Sequence, residues 1–395
     1  MSERTLRGKA AVIGIGESVY YRHGRSPDPE FVLALQAIRA ACEDAGLAPK
    51  DIEGFSSYSD DRSQPVRLAA ALGINDLRFS VMQWTGGGGG MAAAVSNAAA
   101  AVATGQADYV VVLRALAQGQ FGRFGQTRST GGEVTGEQAY TASYGIGSAG
   151  QMYGFKYMRW MHDHGGVGLE AQKAVSLASY HHAQQNPRAV MYGRPLTPED
   201  YDQSRMIVEP WRLFDFCQEN DAAAALILTS PERARDHPRP PVYILAGASG
   251  ANHGFGRKIN NSPTYATSNF TTIAPRLWKM AQLGPSDVDV IQSYENFTGG
   301  VVMSLVEHGI CAAEAVDEEL TFENLIAPSG RLPLNTSGGN LAEAYVHGLN
   351  LAVEGVRQVR GESPNQVPDV KVALVTAGPL TAPVSDLVLG TEEVL

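Results

Sequence analysis

The strongest constraint on this chain's fold is a repeat within it. "AGLAPKDIEGFSSYS" (45–59) aligns without gaps on "AQLGPSDVDVIQSYE" (281–295). Each copy places a helix end, a proline, an aspartate and a strand in the same order, and Tyr58 falls opposite Tyr294. A glycine cluster opening a small-residue helix follows each copy: Gly86–Gly90 in the first, Gly338 and Gly339 of "SGGNLAEAYVHG" (337–348) in the second. Each then reaches a buried strand, "YVVVLRA" (109–115) or "VALVTAG" (372–378). Self-similarity of this kind predicts two α/β halves of similar topology.

Patterning elsewhere agrees. "AAVIGIG" (10–16), "LRFSVM" (77–82) and "YVVVL" (109–113) read as strands, and 29–45 and 91–104 as helices, the former closed by Gly46. Apolar strands without polar alternation, set between helices, predict a sheet covered on both faces. The Pro-rich connector "RARDHPRPP" (233–241) divides an N-terminal half, 1–235, from a C-terminal half, 236–395. Residues 116–201 have no counterpart in the second half and carry helices near 151–163 and 170–185. An insertion after a central strand lies where α/β folds bind ligands, so this one is expected to be a lid over the substrate.

Composition narrows the function classes. A net charge of −10 without a Lys/Arg cluster argues against nucleic acid or an anionic membrane as partner. No stretch is long and apolar enough to span a bilayer, and the first residues carry no apolar signal region, so a cytoplasmic protein is expected. Cys42, Cys217 and Cys311 are too few and too scattered for a disulfide framework or a CxxC metal site. Cys217 and Cys311 read as small buried hydrophobes, and the His162/His164 pair as a solvated helix end, so no metal is expected.

"PLTPEDYDQSRMIVEPWRLFDFCQENDAAAALILTS" (195–230), "GQADYVVV" (105–112), "DVDVIQSYENFTGG" (287–300) and "NTSGGNLAEAYVHG" (335–348) together resemble the thiolase superfamily, in its sterol-carrier-protein-X and bacterial lipid-transfer-protein branch. The resemblance covers nearly the whole chain. It implies the five-layered αβαβα thiolase fold of two pseudo-duplicated halves with a lid in the first. It also exposes a departure. The family's nucleophilic cysteine position falls within Gly87, Gly88 and Gly89, and its second cysteine near Thr376–Ala377. The Asn or His of its NEAF or HDxF motif falls on Tyr294, and its GHP histidine on Tyr345.

Without a cysteine, thiolysis is closed. A β-hydroxyacyl thioester can still undergo retro-aldol cleavage, in which the thioester delocalises the carbanion and the site supplies a base, oxyanion donors and an acid. Tyr345 is assigned to hydroxyl activation and Tyr294 to the enolate, or the reverse; a phenol acting as base needs its pKa lowered from about 10. His253, His347, Glu295 and Asn335 are supporting candidates, Glu295 either orienting a tyrosine or capping the helix near Phe297. Backbone N–H groups of Gly87, Gly88, Gly89, Gly338 and Gly339 are candidates for the thioester or CoA. Arg22, Arg25, Arg123 and Arg128 could meet CoA phosphates.

Within the branch, the pattern resembles the steroid side-chain aldolases. This implies cleavage of a 17-hydroxy C22 steroid CoA thioester to a 17-ketosteroid and propionyl-CoA, with no cofactor beyond the CoA of the substrate. It also implies a homodimer carrying two OB-fold/zinc-ribbon partners in a heterotetramer. Two other readings stand: a non-catalytic acyl-CoA- or lipid-binding subunit or scaffold, and a true thiolase using Cys217.

Overall fold

The computed structural model describes residues 5–84, 87–121, 138–252, 262 and 264–395. Its strands are β1 (Ala11–Glu17), β2 (Tyr21–Arg22), β3 (Gly54–Tyr58), β4 (Phe79–Gln83), β5 (Val110–Ala117), β6 (Met206–Val208), β7 (Trp211–Arg212), β8 (Asn220–Thr229), β9 (Val242–Gly250), β10 (Val290–Ser293), β11 (Val372–Ala377) and β12 (Val384–Gly390). Ten of them form one sheet in the order β10-β11-β12-β9-β1-β8-β5-β3-β4, with β2 beside β8, while β6 and β7 pair separately.

This order is mirror-like about its centre. Reading outward from the antiparallel β1–β9 contact gives β8, β5, β3 on one side and β12, β11, β10 on the other. The β3–β5 and β10–β11 pairs are parallel, and β5–β8 and β11–β12 antiparallel. The repeat noticed in sequence is repeated in backbone. Pro49–Asp51 and Pro285–Asp287 are both short 3-10 turns. The preceding helices, Glu30–Ala45 and Ala274–Ala281, both end in a left-handed residue, Gly46 (φ 65°) and Gln282 (φ 54°). The second half replaces β4 with a stub, Leu334 bridging Ile291.

Two helices, Met91–Ala103 and Leu349–Arg360, touch strands of both halves and are buried between them. Alanine at eight of the thirteen Met91–Ala103 positions allows that close approach, since each side chain is a single methyl. A central core of Val12, Val95, Leu226, Leu351 and Val375 fills this layer, and the other major cluster lies under the outer helices Glu30–Ala45, Leu169–Ala183 and Ala274–Ala281. The layering is that of the thiolase fold, α on β on α on β on α.

The insertion contributes the helices Ala149–Asp163 and Leu169–Ala183. Buried Asp215 fastens it to the second half, accepting hydrogen bonds from Thr298 (2.7 Å), Tyr201 (2.9 Å) and Ser176 (3.3 Å).

One expectation fails locally. The "SGGNLAEAYVHG" segment does not open directly into a helix. Gly339–Glu343 makes a single π turn, the chain then extends at Ala344, and the helix begins only at Leu349. Asn335 (φ 53°), His347 (φ 50°) and Gly348 (φ 86°) take left-handed backbone around this break. The interruption frees Tyr345 from a helical face, where its neighbours would have covered it.

Candidate active site

Tyr294 leaves the end of β10, its N–H bonded to Thr376 O (3.1 Å) on β11. Asn335 holds the preceding residue on both sides: its Oδ1 accepts from the Ser293 N–H (2.7 Å) and its Nδ2 donates to Ser293 O (2.9 Å). Tyr345 is held across the halves by Asn220 at the start of β8, whose Oδ1 accepts from the Tyr345 N–H (2.6 Å). The two phenol oxygens meet at 2.6 Å, with ring planes 65° apart.

Glycines make this contact feasible. A Cβ on Gly88 or on Gly348 would enter the Tyr294 ring, so one glycine from each half flanks it. The nucleophile position of the family is therefore filled by an aromatic ring from the opposite half. Gly87 (φ 70°) and Gly88 also border the cavity. Gly89 does not; its backbone packs against Pro383 and Thr381. Gly338 and Gly339 also lie away from the cavity, against Ala183 and the Glu295 carboxyl. Their expected contact with thioester or CoA is thus not what the geometry offers; they let the π turn close on its neighbours.

The cavity encloses about 1320 Å³, larger than the ~300–1,000 Å³ of ordinary ligand pockets. Both tyrosines and His347 line it. Tyr153 of the insertion and Ile207, Val208 and Phe216 of the segment that follows it form an apolar wall, with Phe297 of the second half 5.1 Å from Phe216 and 5.6 Å from Tyr153 between ring centres. Cys217 lines it too, so it is no plain core residue, although Cys311 is buried. Burial, with the nearby Glu295 and Glu219 charges, pushes the Cys217 thiol far up, leaving it a poor nucleophile.

Electrostatics overturn one expectation. Burial holds both Tyr294 and Tyr345 well above the ordinary phenol range, not below it. Neither is poised as a free phenolate; together they form a neutral hydroxyl pair able to pass a proton.

His347 packs edge-on to Tyr345 (5.2 Å) and is held neutral by burial and by the Arg114 charge. Arg114 is itself fully buried, paired with Asp60 at 2.8 Å and bonded to Tyr58 O at 3.2 Å. Glu295 neither caps the following helix nor reaches a tyrosine hydroxyl. It is buried against Gly339, and desolvation raises its carboxyl to about 8. His253, Arg123 and Arg128 lie outside the described residues. His162 is solvent-exposed and His164 bonds Trp160 O (2.8 Å). Among the described residues no group of three His, Cys, Asp or Glu side chains could hold a metal.

Sequence reasoning missed Asn220, Gly348, the Arg114–Asp60 pair and the aromatic wall. Asn220–Asp221, two polar residues opening an otherwise apolar strand, was the readable signal for the first.

Residues 251–390 match the family described as thiolase C-terminal domain-like. The chain is 40% identical to the 17-hydroxy-3-oxo-4-pregnene-20-carboxyl-CoA lyase of Mycobacterium tuberculosis, over 98% of this chain and all of that one. It is 39% identical to the steroid side-chain-cleaving aldolase of Thermomonospora curvata, over 98% and 99% of the two chains. A solved Ltp2-ChsH2(DUF35) aldolase superposes with a TM-score of 0.88 at 36% identity, over 98% and 99%. Human mitochondrial 3-ketoacyl-CoA thiolase, at 12% identity and a TM-score of 0.69, shares the fold. Two halves of thiolase topology, with no cysteine at the family's cysteine positions and a tyrosine pair at the Asn/His and histidine positions, accompany these likenesses: the chain belongs to the steroid side-chain-cleaving aldolases of the thiolase superfamily.

Proposed function

We propose that this protein is a retro-aldolase that cleaves a 17-hydroxy C22 steroid CoA thioester to a 17-ketosteroid and propionyl-CoA. The observation that carries this reading is the 2.6 Å contact between Tyr294 and Tyr345 at the wall of a large, partly aromatic cavity. The names of the two 39–40% identical relatives support the substrate class.

The reaction needs one proton removed from the tertiary hydroxyl and one delivered to the carbon α to the thioester. Tyr345 takes the hydroxyl proton as its own proton passes to Tyr294, whose proton goes to the α-carbon. As the C17–C20 bond breaks, its electron pair develops thioester-enolate character and is met at the α-carbon by the Tyr294 proton within the same concerted relay. Because the protons move in relay, no phenolate persists in this buried site, which agrees with the raised phenol pKa values. Asn335 and Asn220 are positioning residues, each holding the backbone at or beside one tyrosine. The apolar wall takes the steroid rings.

The enzyme works in the cytoplasm as a homodimer, each copy carrying an OB-fold/zinc-ribbon partner in a heterotetramer. The solved aldolase it resembles is itself an assembly of two components. β4 is an edge strand with exposed Met82, a surface open to a second copy. No described helix is long and apolar enough to cross a membrane.

Incubation with the 17-hydroxy C22 steroid CoA thioester, with and without such a partner, followed by mass spectrometry, tests the reading. Equal amounts of 17-ketone and propionyl-CoA are expected. Substrate binding without either product, partner present, would leave a binding subunit instead.

A further inference from the structure

We infer that the turn Arg22–Arg25 and the facing Arg194 form a phosphate-binding mouth for the nucleotide end of CoA. This rests on the acyl-CoA reading above and adds where the CoA enters and which residues hold it.

The turn is built to present charge. β2 pairs Tyr21 with Asp221 and Arg22 with Asn220. The chain then reverses, Arg25 N–H bonding Arg22 O at 2.9 Å, with Gly24 at φ 68° in the third position of the turn. A type II turn requires positive φ there, and glycine supplies it without strain. Gly119 backs the turn so closely that a Cβ on it would enter the Gly24 backbone. Asp221 pins both segments, accepting from the Gly119 N–H (2.8 Å) and the Ser26 N–H (3.4 Å). From the opposite side, the loop after Leu169–Ala183 carries Arg194, and Arg22 donates to Val190 O of that loop at 3.4 Å.

Arg22, His23, Arg25 and Arg194 all border the same cavity as the tyrosines. None of the three arginines forms an ion pair among the described residues, whereas Arg114, Arg188, Arg357 and Arg360 all do. His23 Nε2 is buried there without a hydrogen-bond partner. Two carboxylates share the wall: Asp60, engaged by Arg114, and Glu219. Three guanidinium groups without an ion pair, presented from two facing segments at one cavity, leave positive charge there for an anion to neutralise. In a chain of net charge −10 their clustering is a local reversal of sign. Guanidinium forks match phosphate oxygens two at a time. CoA offers a diphosphate and a 3′-phosphate, and its pantetheine arm joins these to the thioester at the tyrosines.

The test compares CoA, 3′-dephospho-CoA and pantetheine thioesters of the same steroid acid, on the assembled enzyme and its Arg25→Ala/Arg194→Ala form. Arg22 is left in place because it also bridges the loops. The double substitution is expected to raise KM for the CoA ester at least ~10-fold, with kcat little changed. KM for the pantetheine ester should stay put, which a merely structural lesion would not allow. A smaller loss for the dephospho ester assigns the 3′-phosphate to the arginines; an equal loss assigns the diphosphate. An unaltered KM for the CoA ester, or equal losses with CoA and pantetheine esters, overturns the mouth while leaving the acyl-thioester reading intact. If the unaltered enzyme binds neither ester, both fall.

Discussion

The two halves of this molecule share a topology but contribute different materials to the site. At equivalent places in the repeat, Tyr58 and Tyr294 follow the same strand. Tyr58 donates to the backbone oxygens of Val346 (3.2 Å) and His347 (3.0 Å), away from the cavity, and braces the loop that carries Tyr345. Tyr294 instead meets Tyr345 hydroxyl to hydroxyl on the cavity wall. The glycine clusters diverge in the reverse sense: Gly88 opens onto the cavity, while Gly338 and Gly339 are packed away from it, against Ala183 and Glu295. The first half lends empty space and backbone, and the second lends the reacting side chains. A duplicated fold can thus retain its frame while its two copies specialise, because a single residue decides whether a strand end reaches the substrate.

The largest expected effect divides the two tyrosines. Tyr294→Phe and Tyr345→Phe should each lower kcat at least ~100-fold, and the double substitution should cost little more than either alone, since one hydrogen bond is shared. Steady-state kinetics on the three variants checks this; near-normal turnover in both single variants would break the comparison. Gly88→Ala should also lower kcat by ~100-fold with the fold intact, by displacing the Tyr294 ring. Gly339→Ala has the opposite profile. Its methyl meets the Glu295 carboxyl at a residue with φ 57°, so about 3 kcal/mol of stability is lost in denaturant unfolding. Tyr58→Phe should cost about 1–2 kcal/mol of stability while retaining most of kcat.

A pH-dependent contrast compares Ser59 with Glu295, again equivalent in the repeat. Ser59 borders the cavity, whereas Glu295 is buried with its folded pKa raised from 4.5 to about 8. A raised folded pKa favours the fold fully below about pH 4.5, and that contribution is lost as pH rises through 8. The stability of the unaltered protein relative to Glu295→Gln should therefore fall between pH 5 and 8, while Ser59→Ala gives a difference independent of pH. Urea unfolding at the two pH values decides it.

Much of the frame was legible because repeats leave marks that need no side-chain detail: a proline, an aspartate and a tyrosine at one offset. Gly46 announced its helix end, while Gln282 takes the same left-handed turn with a residue that signals nothing. The tyrosine pair was legible only through the resemblance to a family whose reactive positions are known. The π turn was not, since "GGNLAEAYV" has the small-residue content of a continuous helix. Nor was the direction of the phenol shifts, which depends on desolvation by residues distant in sequence.

The central claim is that a tyrosine pair, without a cysteine nucleophile, breaks a carbon–carbon bond. Mass-spectrometric product analysis in D₂O, on the assembled enzyme and its Cys217→Ala form, tests it most directly. Both should yield the 17-ketone and an equal amount of propionyl-CoA carrying one deuterium at the α-carbon. Loss of both products in Cys217→Ala, with the fold and substrate binding retained, would contradict it.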